Sequence, residues 1–197
     1  MKKGTIILVI VILLVVFGGM WGCSKRNSFV NLRENAKAQW QQVESQYQRR
    51  LDLVPNIVET VQGEANFEKS TLEAVTNARA NATSVKVNLD NLDEASIQKY
   101  RAAQGELSNA LGRLLAVSEN YPDLKSNRAF ADLRVTLEGC ENRISQERMN
   151  YNEMVREYNK SLQFFPGSLV SGGFSPLPYF EAEAGAEKAP KVKFNFK

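Results

Sequence analysis

Apolar and aromatic side chains recur at intervals of three, four and seven residues between positions 29 and 61. They are Phe29, Ala36, Trp40, Val43, Tyr47, Val54, Ile57 and Val61. Because an α-helix turns once every 3.6 residues, these side chains fall on one face of a helix. The pattern predicts a long amphipathic helix over residues 28–63. Asn27 or Ser28 can cap its start, and Pro55 is expected to kink it.

Two shorter helices are predicted next. Asn66 is a suitable cap for a second helix that ends near Thr83, with Phe67, Leu72, Val75, Ala78 and Ala82 on its apolar side. Asp93 can cap a third helix that runs to about Asn120. The segment between them is rich in Val, Asn and Asp, and we interpret it as a connector.

The last helix has the clearest heptad pattern, and Ser126 or Asn127 can cap it. Its seam consists of Phe130, Leu133, Leu137, Cys140, Ile144, Tyr151, Met154, Tyr158 and Phe165. Alternating steps of three and four residues are typical of coiled-coil-like, left-handed packing. Glu147 also falls on this seam, so its charge has to be partnered or to lie at a wet edge.

Residues 4–24 contain no charged side chain. A helix of about 18 to 21 residues spans about 27 to 32 Å, close to the thickness of a bilayer's hydrocarbon core, so residues 1–24 are predicted to be a single transmembrane anchor. A cleaved signal is the alternative: Gly22-Cys23 resembles a bacterial lipoprotein site, at which Cys23 would be acylated. Flanking positive charges are nearly balanced, and we expect a cytoplasmic start with the bundle outside the inner membrane.

These elements predict an all-α protein: an anchor over residues 1–24, an antiparallel four-helix bundle over 28–165 and a largely irregular tail over 166–197. Apolar residues of the tail either cap the open base of the bundle or lie at the lipid interface; they are Leu169, Val170, Phe174, Leu177, Tyr179 and Phe180. Val192, Phe194 and Phe196 alternate with polar residues, as on one face of a short strand. We expect this segment to be extended along the bundle or disordered.

Composition narrows the chemistry. Lys and Arg number 25 against 22 Asp and Glu, and the charges are interspersed, which argues against a nucleic-acid surface. There is no histidine, so the commonest general base and metal ligand are both missing. Glu138 and Glu141 have the spacing of acids in di-iron bundles, but the histidines of such sites are lacking. No metal, cofactor or small-molecule substrate is predicted.

The densest polar cluster is Arg49, Arg50, Asp52, Asn56 and Glu59. Side chains three or four positions apart share a helix face, so the cluster could bind a phosphate or a carboxylate. The structural interpretation, which we favour, is pairing within the helix or with Glu138, Glu141 or Glu147 across the bundle. An antiparallel register would bring Arg49 or Arg50 close to Glu147.

Several blocks of sequence carry a family resemblance. They include Asp52-Leu53-Val54-Pro55-Asn56-Ile57-Val58, Leu111-Gly112-Arg113-Leu114-Leu115, Tyr121-Pro122-Asp123-Leu124 and Leu137-Glu138-Gly139. Together these blocks resemble the LemA family over nearly the whole chain. The resemblance implies a bacterial single-pass membrane protein with an antiparallel helical bundle, and it brings no established enzymatic activity.

The predicted function is therefore that of an interaction or scaffold module tethered at a membrane surface. Its expected partners are the lipid bilayer and either another protein or further copies of the chain, with no nucleic acid. The alternative is a membrane-tethered enzyme that uses a cleft of Glu and Arg side chains near Arg49.

Overall fold

The computed structural model describes residues 3–64, 67–89 and 92–180, and all regular structure in these ranges is helical. The elements are α1 (Lys3–Gln62), α2 (Lys69–Ser84), α3 (Glu94–Ser118), α4 (Pro122–Ser126), α5 (Arg128–Gln163) and a 3-10 turn (Gly167–Leu169). The all-α prediction is confirmed, as is a long apolar helix at the N-terminus. Val192, Phe194 and Phe196 lie outside the described residues.

The anchor and the first bundle helix are one continuous helix. α1 has 60 residues and is therefore about 90 Å long. The predicted start at Ser28 is wrong, because Asn27 and Ser28 lie inside α1. The preceding turns already accept the backbone N–H groups at this point, so no cap is needed. α1 also passes through Pro55 and ends one residue before the predicted Gly63.

α1 and α5 form the longest pair in the bundle. Trp40 lies against Tyr151 with ring centroids 5.2 Å apart, and Arg50 binds Glu141 further along α1. Residue numbers therefore rise along α1 while they fall along α5, so the two helices are antiparallel. α5 has 36 residues, which corresponds to about 54 Å.

α2 and α3 pack beside α1 and complete the bundle. The ring of Tyr47 packs against Tyr100 of α3, and Arg50 further along α1 binds Gln104 further along α3, so these helices are parallel. α2 runs back along α1, and its Arg79 donates a hydrogen bond to the carbonyl oxygen of Leu51. The order is up, down, up, down.

The interior has two apolar clusters. The membrane-proximal cluster includes Phe29, Ala36, Trp40, Val43, Tyr47, Val87, Leu92, Ile97, Tyr100, Ile144, Tyr151, Val155, Tyr158, Leu162, Leu177 and Phe180. The distal cluster includes Leu51, Val54, Ile57, Val61, Phe67, Val75, Ala82, Leu107, Leu111, Leu114, Leu124, Phe130 and Leu137. On α1 the two clusters are separated by residues 48–50.

The predicted caps have mixed outcomes. The Asp93 carboxylate accepts a hydrogen bond from the backbone N–H of Ser96 at 2.7 Å, and Asn127 accepts from the N–H of Phe130, so both caps are confirmed. Asn66 lies outside the described residues, and α2 begins only at Lys69 without a side-chain cap. The short α4 between α3 and α5 was not predicted, although Pro122 suits the first turn of a helix.

The tail covers the membrane-proximal half of the bundle. α2 has 16 residues, or about 24 Å, and is too short to cover the full length of α5. Leu177 and Phe180 fill the space that remains, being 4% and 1% exposed. At these two positions the tail packs along the side of the bundle, and Phe180 lies against Trp40 and Tyr47. Leu169 and Tyr179 remain exposed.

A repeated Tyr-Asn pair on α5 holds the tail. Asn159 donates to the carbonyl oxygen of Leu177 and accepts from its N–H, both at 2.8 Å. Asn152 binds both backbone groups of Phe180 in the same way. Tyr158 and Tyr151, each one position before an Asn, donate to the carbonyl oxygens of Ser175 and Pro178.

The spacing of these contacts follows from helix geometry. Seven residues of helix advance about 10.5 Å, and three residues of extended chain advance about 10 Å. A heptad of α5 therefore matches three residues of tail, which is why one Tyr-Asn pair binds residues 175 and 177 and the other binds 178 and 180. The tail runs antiparallel to α5 and parallel to α1.

We predict that Asn159→Ala lowers the free energy of unfolding by about 1 to 3 kcal/mol, because it leaves two buried backbone groups of Leu177 without partners. Urea unfolding measures the loss, and hydrogen exchange of residues 174–180 should rise with it. Asn142→Ala, at an exposed position of α5, is the control and should stay within about 0.5 kcal/mol of the parent. Equal effects of the two substitutions would contradict the role given to Asn159.

Candidate functional site

Arg50 lies at the boundary of the two apolar clusters, although it is charged. The residue is 1% exposed. Its Nη2 donates to the backbone oxygen of Gln104 at 2.9 Å and to the side-chain Oε1 of the same residue at 2.7 Å. Its Nη1 donates to Ser108 Oγ at 3.1 Å and to Glu141 Oε1 at 2.7 Å. One guanidinium thus joins α1, α3 and α5.

The charge of Arg50 is compensated on two sides. Glu141 provides a carboxylate, although its side chain is 39% exposed and water screens part of this interaction. The guanidinium also lies 5.1 Å from the centroid of the Tyr47 ring, a favourable cation–π distance. Arg50 therefore has structural partners and does not project into solvent, where it could bind a ligand.

The structure separates the predicted polar cluster. Arg49, Asp52 and Asn56 are exposed, and Asp52 accepts a hydrogen bond from Gln48. Consecutive residues on a helix point about 100° apart, so Arg49 faces solvent while Arg50 faces the interior. The cluster is not a single anion site in this arrangement.

The cross-bundle pair forms with Glu141 and not with Glu147. Glu141 is one of the three acids named as possible partners, so that part of the interpretation is confirmed. Glu147 lies nearer the membrane end of α5, where it accepts hydrogen bonds from Gln39 at 2.6 Å and from Asn150 at 3.1 Å. Glu141 precedes Glu147 by about one and two-thirds turns of helix, and the register differs from the predicted one by that amount. Gln39, which is half-buried, partners Glu147 at the seam.

A polar cleft of about 380 Å³ lies beside Arg50, between α1, α3 and the connector after α2. Its lining residues come from three elements: Gln41, Glu44, Ser45, Gln48 and Leu51 from α1; Ala82, Thr83, Val85, Lys86 and Val87 from the end of α2 and the connector; and Tyr100 and Gln104 from α3. Gln104 is 3% exposed and forms the inner wall, where it is held by Arg50.

The pKa values of two ionisable groups in the cleft are shifted. Burial raises the pKa of Glu44 above its ordinary value, and this effect is opposed by the indole of Trp40. Burial, together with the nearby negative charge of Glu44, raises the pKa of the Tyr100 hydroxyl, so this phenol stays protonated. The cleft therefore presents one carboxyl group, from Glu44, and one ammonium group, from Lys86, among amide and hydroxyl side chains.

The described residues contain no group of three or more His, Cys, Asp or Glu side chains that could hold a metal ion. Glu138 and Glu141 have separate partners, Arg134 and Arg50. Cys140 is buried, and burial raises the pKa of its thiol, which donates to the carbonyl oxygen of Gln46. The amide and hydroxyl side chains of the cleft are suited to hydrogen bonding with a polar segment.

A cleft near Arg49 was predicted only for the enzyme alternative, with Glu and Arg in its walls; the amide and hydroxyl wall on α1 was not predicted, although one signal was present. Gln41, Glu44, Ser45 and Gln48 follow steps of three, one and three residues, which place four polar side chains on one face of α1. Such a face is usually a solvated surface. What makes it concave is the wall formed by the connector and α3, and no local pattern predicts that wall.

The fold and the cleft define a membrane-associated helical-bundle protein whose N-terminal helix is long and apolar enough to span a bilayer. The sequence matches the pattern of the LemA family over residues 39–194. The chain therefore belongs to the LemA family.

Similar proteins include Magnetosome protein MamQ of Magnetospirillum gryphiswaldense, which is 27% identical over 179 residues. That match covers 81% of this chain and 66% of the relative. Magnetosome proteins MamQ 1 and MamQ 2 of Paramagnetospirillum magneticum are each 26% identical over 180 residues, covering 82% of this chain and 66% of each relative. The match thus spans just under two thirds of these relatives.

We predict that Arg50→Leu lowers the free energy of unfolding by about 2 to 4 kcal/mol, because it removes the partner of two buried oxygens of Gln104 and of the Glu141 carboxylate. Urea unfolding measures the change. Arg49→Leu is the matched control, since Arg49 is exposed one position away on the same helix. Two variants of equal stability would show that the Arg50 contacts contribute little.

We also predict that Glu44→Gln stabilises the protein at neutral pH and does so less near pH 4. The native protein holds the Glu44 proton to higher pH than the unfolded chain does, because burial raises the native pKa. Stability is therefore lost as the pH rises through the range between the two pKa values, and glutamine avoids this loss. Unfolding at about pH 4 and about pH 7 measures it; the exposed Glu59→Gln serves as control. A gain that does not depend on pH would contradict the assignment.

Proposed function

We propose that this protein is an interaction module tethered at a membrane surface, and that the polar cleft beside Arg50 receives a segment of a partner protein. The observation that carries the proposal is the composition of the cleft walls. Amide and hydroxyl side chains line α1 there, and such groups match the donors and acceptors of a polypeptide backbone.

The position of Arg50 supports a binding role over a catalytic one. In an enzyme that binds anions we would expect the buried cation to face the cleft. Arg50 instead makes four hydrogen bonds inside the bundle, and these hold Gln104 as a fixed wall. Rigid walls keep the cost of ordering low when a partner binds.

The anchor determines which partners the cleft can meet. α1 continues without interruption from the apolar segment into the bundle, which supports a retained transmembrane helix. Cys23 is exposed on this helix and would remain accessible to acylation in the alternative form. We propose that the bundle lies outside the inner membrane, so the partner would be an extracytoplasmic protein or a second copy of the chain. The similar MamQ proteins are named for the magnetosome, and their names specify no reaction.

One observation favours a second candidate function. Glu44 combines a raised pKa with a place in the cleft, as a general acid or base would. Lys86 is the cation on the opposite wall. An enzyme of this kind would act on a small polar molecule and would need no protein partner.

Photo-crosslinking tests the proposal in full-length protein in its native membrane. We expect a crosslinker at Ser45, in the cleft, to give a discrete heavier adduct, because a bound segment would lie against this wall. Arg49, one turn further along α1, is exposed outside the cleft and is the matched control position. Mass spectrometry of the adduct separates self-association from a foreign partner.

Equal labelling at both positions, or none at Ser45 in folded protein, would contradict a docking role for the cleft. In that case the enzyme candidate predicts that a small molecule protects residues around Glu44 from hydrogen exchange, and that Glu44→Gln abolishes this protection.

A further inference from the structure

The turn that follows α5 exposes three large apolar side chains. Phe164 is 59% exposed, Phe165 is 79% exposed and Leu169 is 71% exposed. They lie within the six residues of loop 164–169, which directly follows α5 at the anchor end of the bundle. Phe165 and Leu169 are each more exposed than the large apolar side chains of the charge-free anchor, which reach 68%.

The loop lies against α1 at the point where the apolar segment ends. A Cβ atom placed on Gly22 would come within 3.6 Å of the Val170 side chain, and one placed on Gly167 would lie 3.3 Å from the ring of Phe29. Arg26 donates hydrogen bonds to the carbonyl oxygens of Val170 and Gly172, at 3.2 and 3.0 Å. The loop therefore faces residues 22–29 of α1.

Those residues correspond to the surface of a bilayer. The charge-free run over residues 4–24 is about 31 Å long as a helix, which equals the thickness of a hydrocarbon core. Residues 25–29 then extend about 7 Å further, which matches one headgroup layer. Loop 164–169 lies at this level, since its Gly167 contacts Phe29.

Cations accompany the apolar surface. Lys160 lies 5.1 Å from the ring centroid of Phe164, and Arg26 lies 5.1 Å from that of Phe174. Lys25, one position before Arg26 on α1, is exposed. Aromatic side chains flanked by Lys and Arg are favoured at the boundary between acyl chains and anionic headgroups.

We propose that loop 164–169 inserts Phe164, Phe165 and Leu169 into the interface of the same membrane that α1 spans. The protein is then attached to the membrane at two points, the anchor and the loop. Two attachments restrict the tilt of α1 and fix the height of the cleft. Glu44 lies about 30 Å along α1 from the hydrocarbon boundary. This inference depends on the anchor and not on the partner proposed for the cleft.

Tryptophan fluorescence tests the insertion in full-length protein reconstituted into phosphatidylcholine–phosphatidylglycerol vesicles. The parent is Trp21→Phe, which removes the tryptophan of the anchor and keeps the buried Trp40 as a constant background. Phe165→Trp is added to this parent. We expect the added emission to be blue-shifted, to fall at least twofold with brominated acyl chains, and to resist quenching by iodide.

Val135→Trp in the same parent is the matched control. Val135 is 68% exposed on α5, near the end of the bundle that is remote from the anchor. Its emission should be quenched by iodide and should not change with brominated lipid. Phe164→Trp provides a second probe of the loop if Phe165→Trp fails to fold.

The outcomes are distinct. Loop emission that is quenched by iodide and not by brominated lipid would overturn the proposal by showing the loop in water. Protection from iodide without quenching by brominated lipid would also overturn it, because the surface would then be covered by protein, such as a second copy of the chain.

Discussion

Burying the charge of Arg50 is the constraint on which the rest of the bundle depends. A buried guanidinium needs acceptors, and here two other helices provide them for both terminal nitrogens, while Nε is buried without a hydrogen-bond partner. The requirement fixes the register of α1 against α3 and α5 at one point. It also separates the two apolar clusters, and it holds Gln104 in place as the inner wall of the cleft.

The membrane-proximal half of the bundle is covered by the tail, because α2 does not extend that far. α2 ends well before the base of the bundle, and an irregular segment has to cover the exposed core. Such a segment brings backbone groups that need partners. Asn152 and Asn159 provide both a donor and an acceptor for one residue each, so Phe180 and Leu177 can be buried without unpaired backbone groups.

The Arg50 contacts and the hydrogen bonds from Asn152 and Asn159 to the tail together define the geometry of the proposed module. The tail is held on α5, and loop 164–169, which connects α5 to the tail, lies beside residues 22–29 of α1. The Arg50 contacts hold the cleft in the bundle above it. Because α1 is one uninterrupted helix, the distance from the membrane to the cleft is set by a rigid element. A partner would therefore meet the cleft at a defined height.

Much of the fold is determined by local sequence. Helical periodicity, the charge-free segment and the caps at Asp93 and Asn127 each depend on residues within a few positions of one another, and all were predictable. The choice of Arg50 over Arg49 as the buried cation, its pairing with Glu141 in preference to Glu138 or Glu147, and the concavity of the cleft were not. They depend on helix rotation and register, which are set by the sum of contacts between residues far apart in the chain, and only the tertiary structure decides that sum.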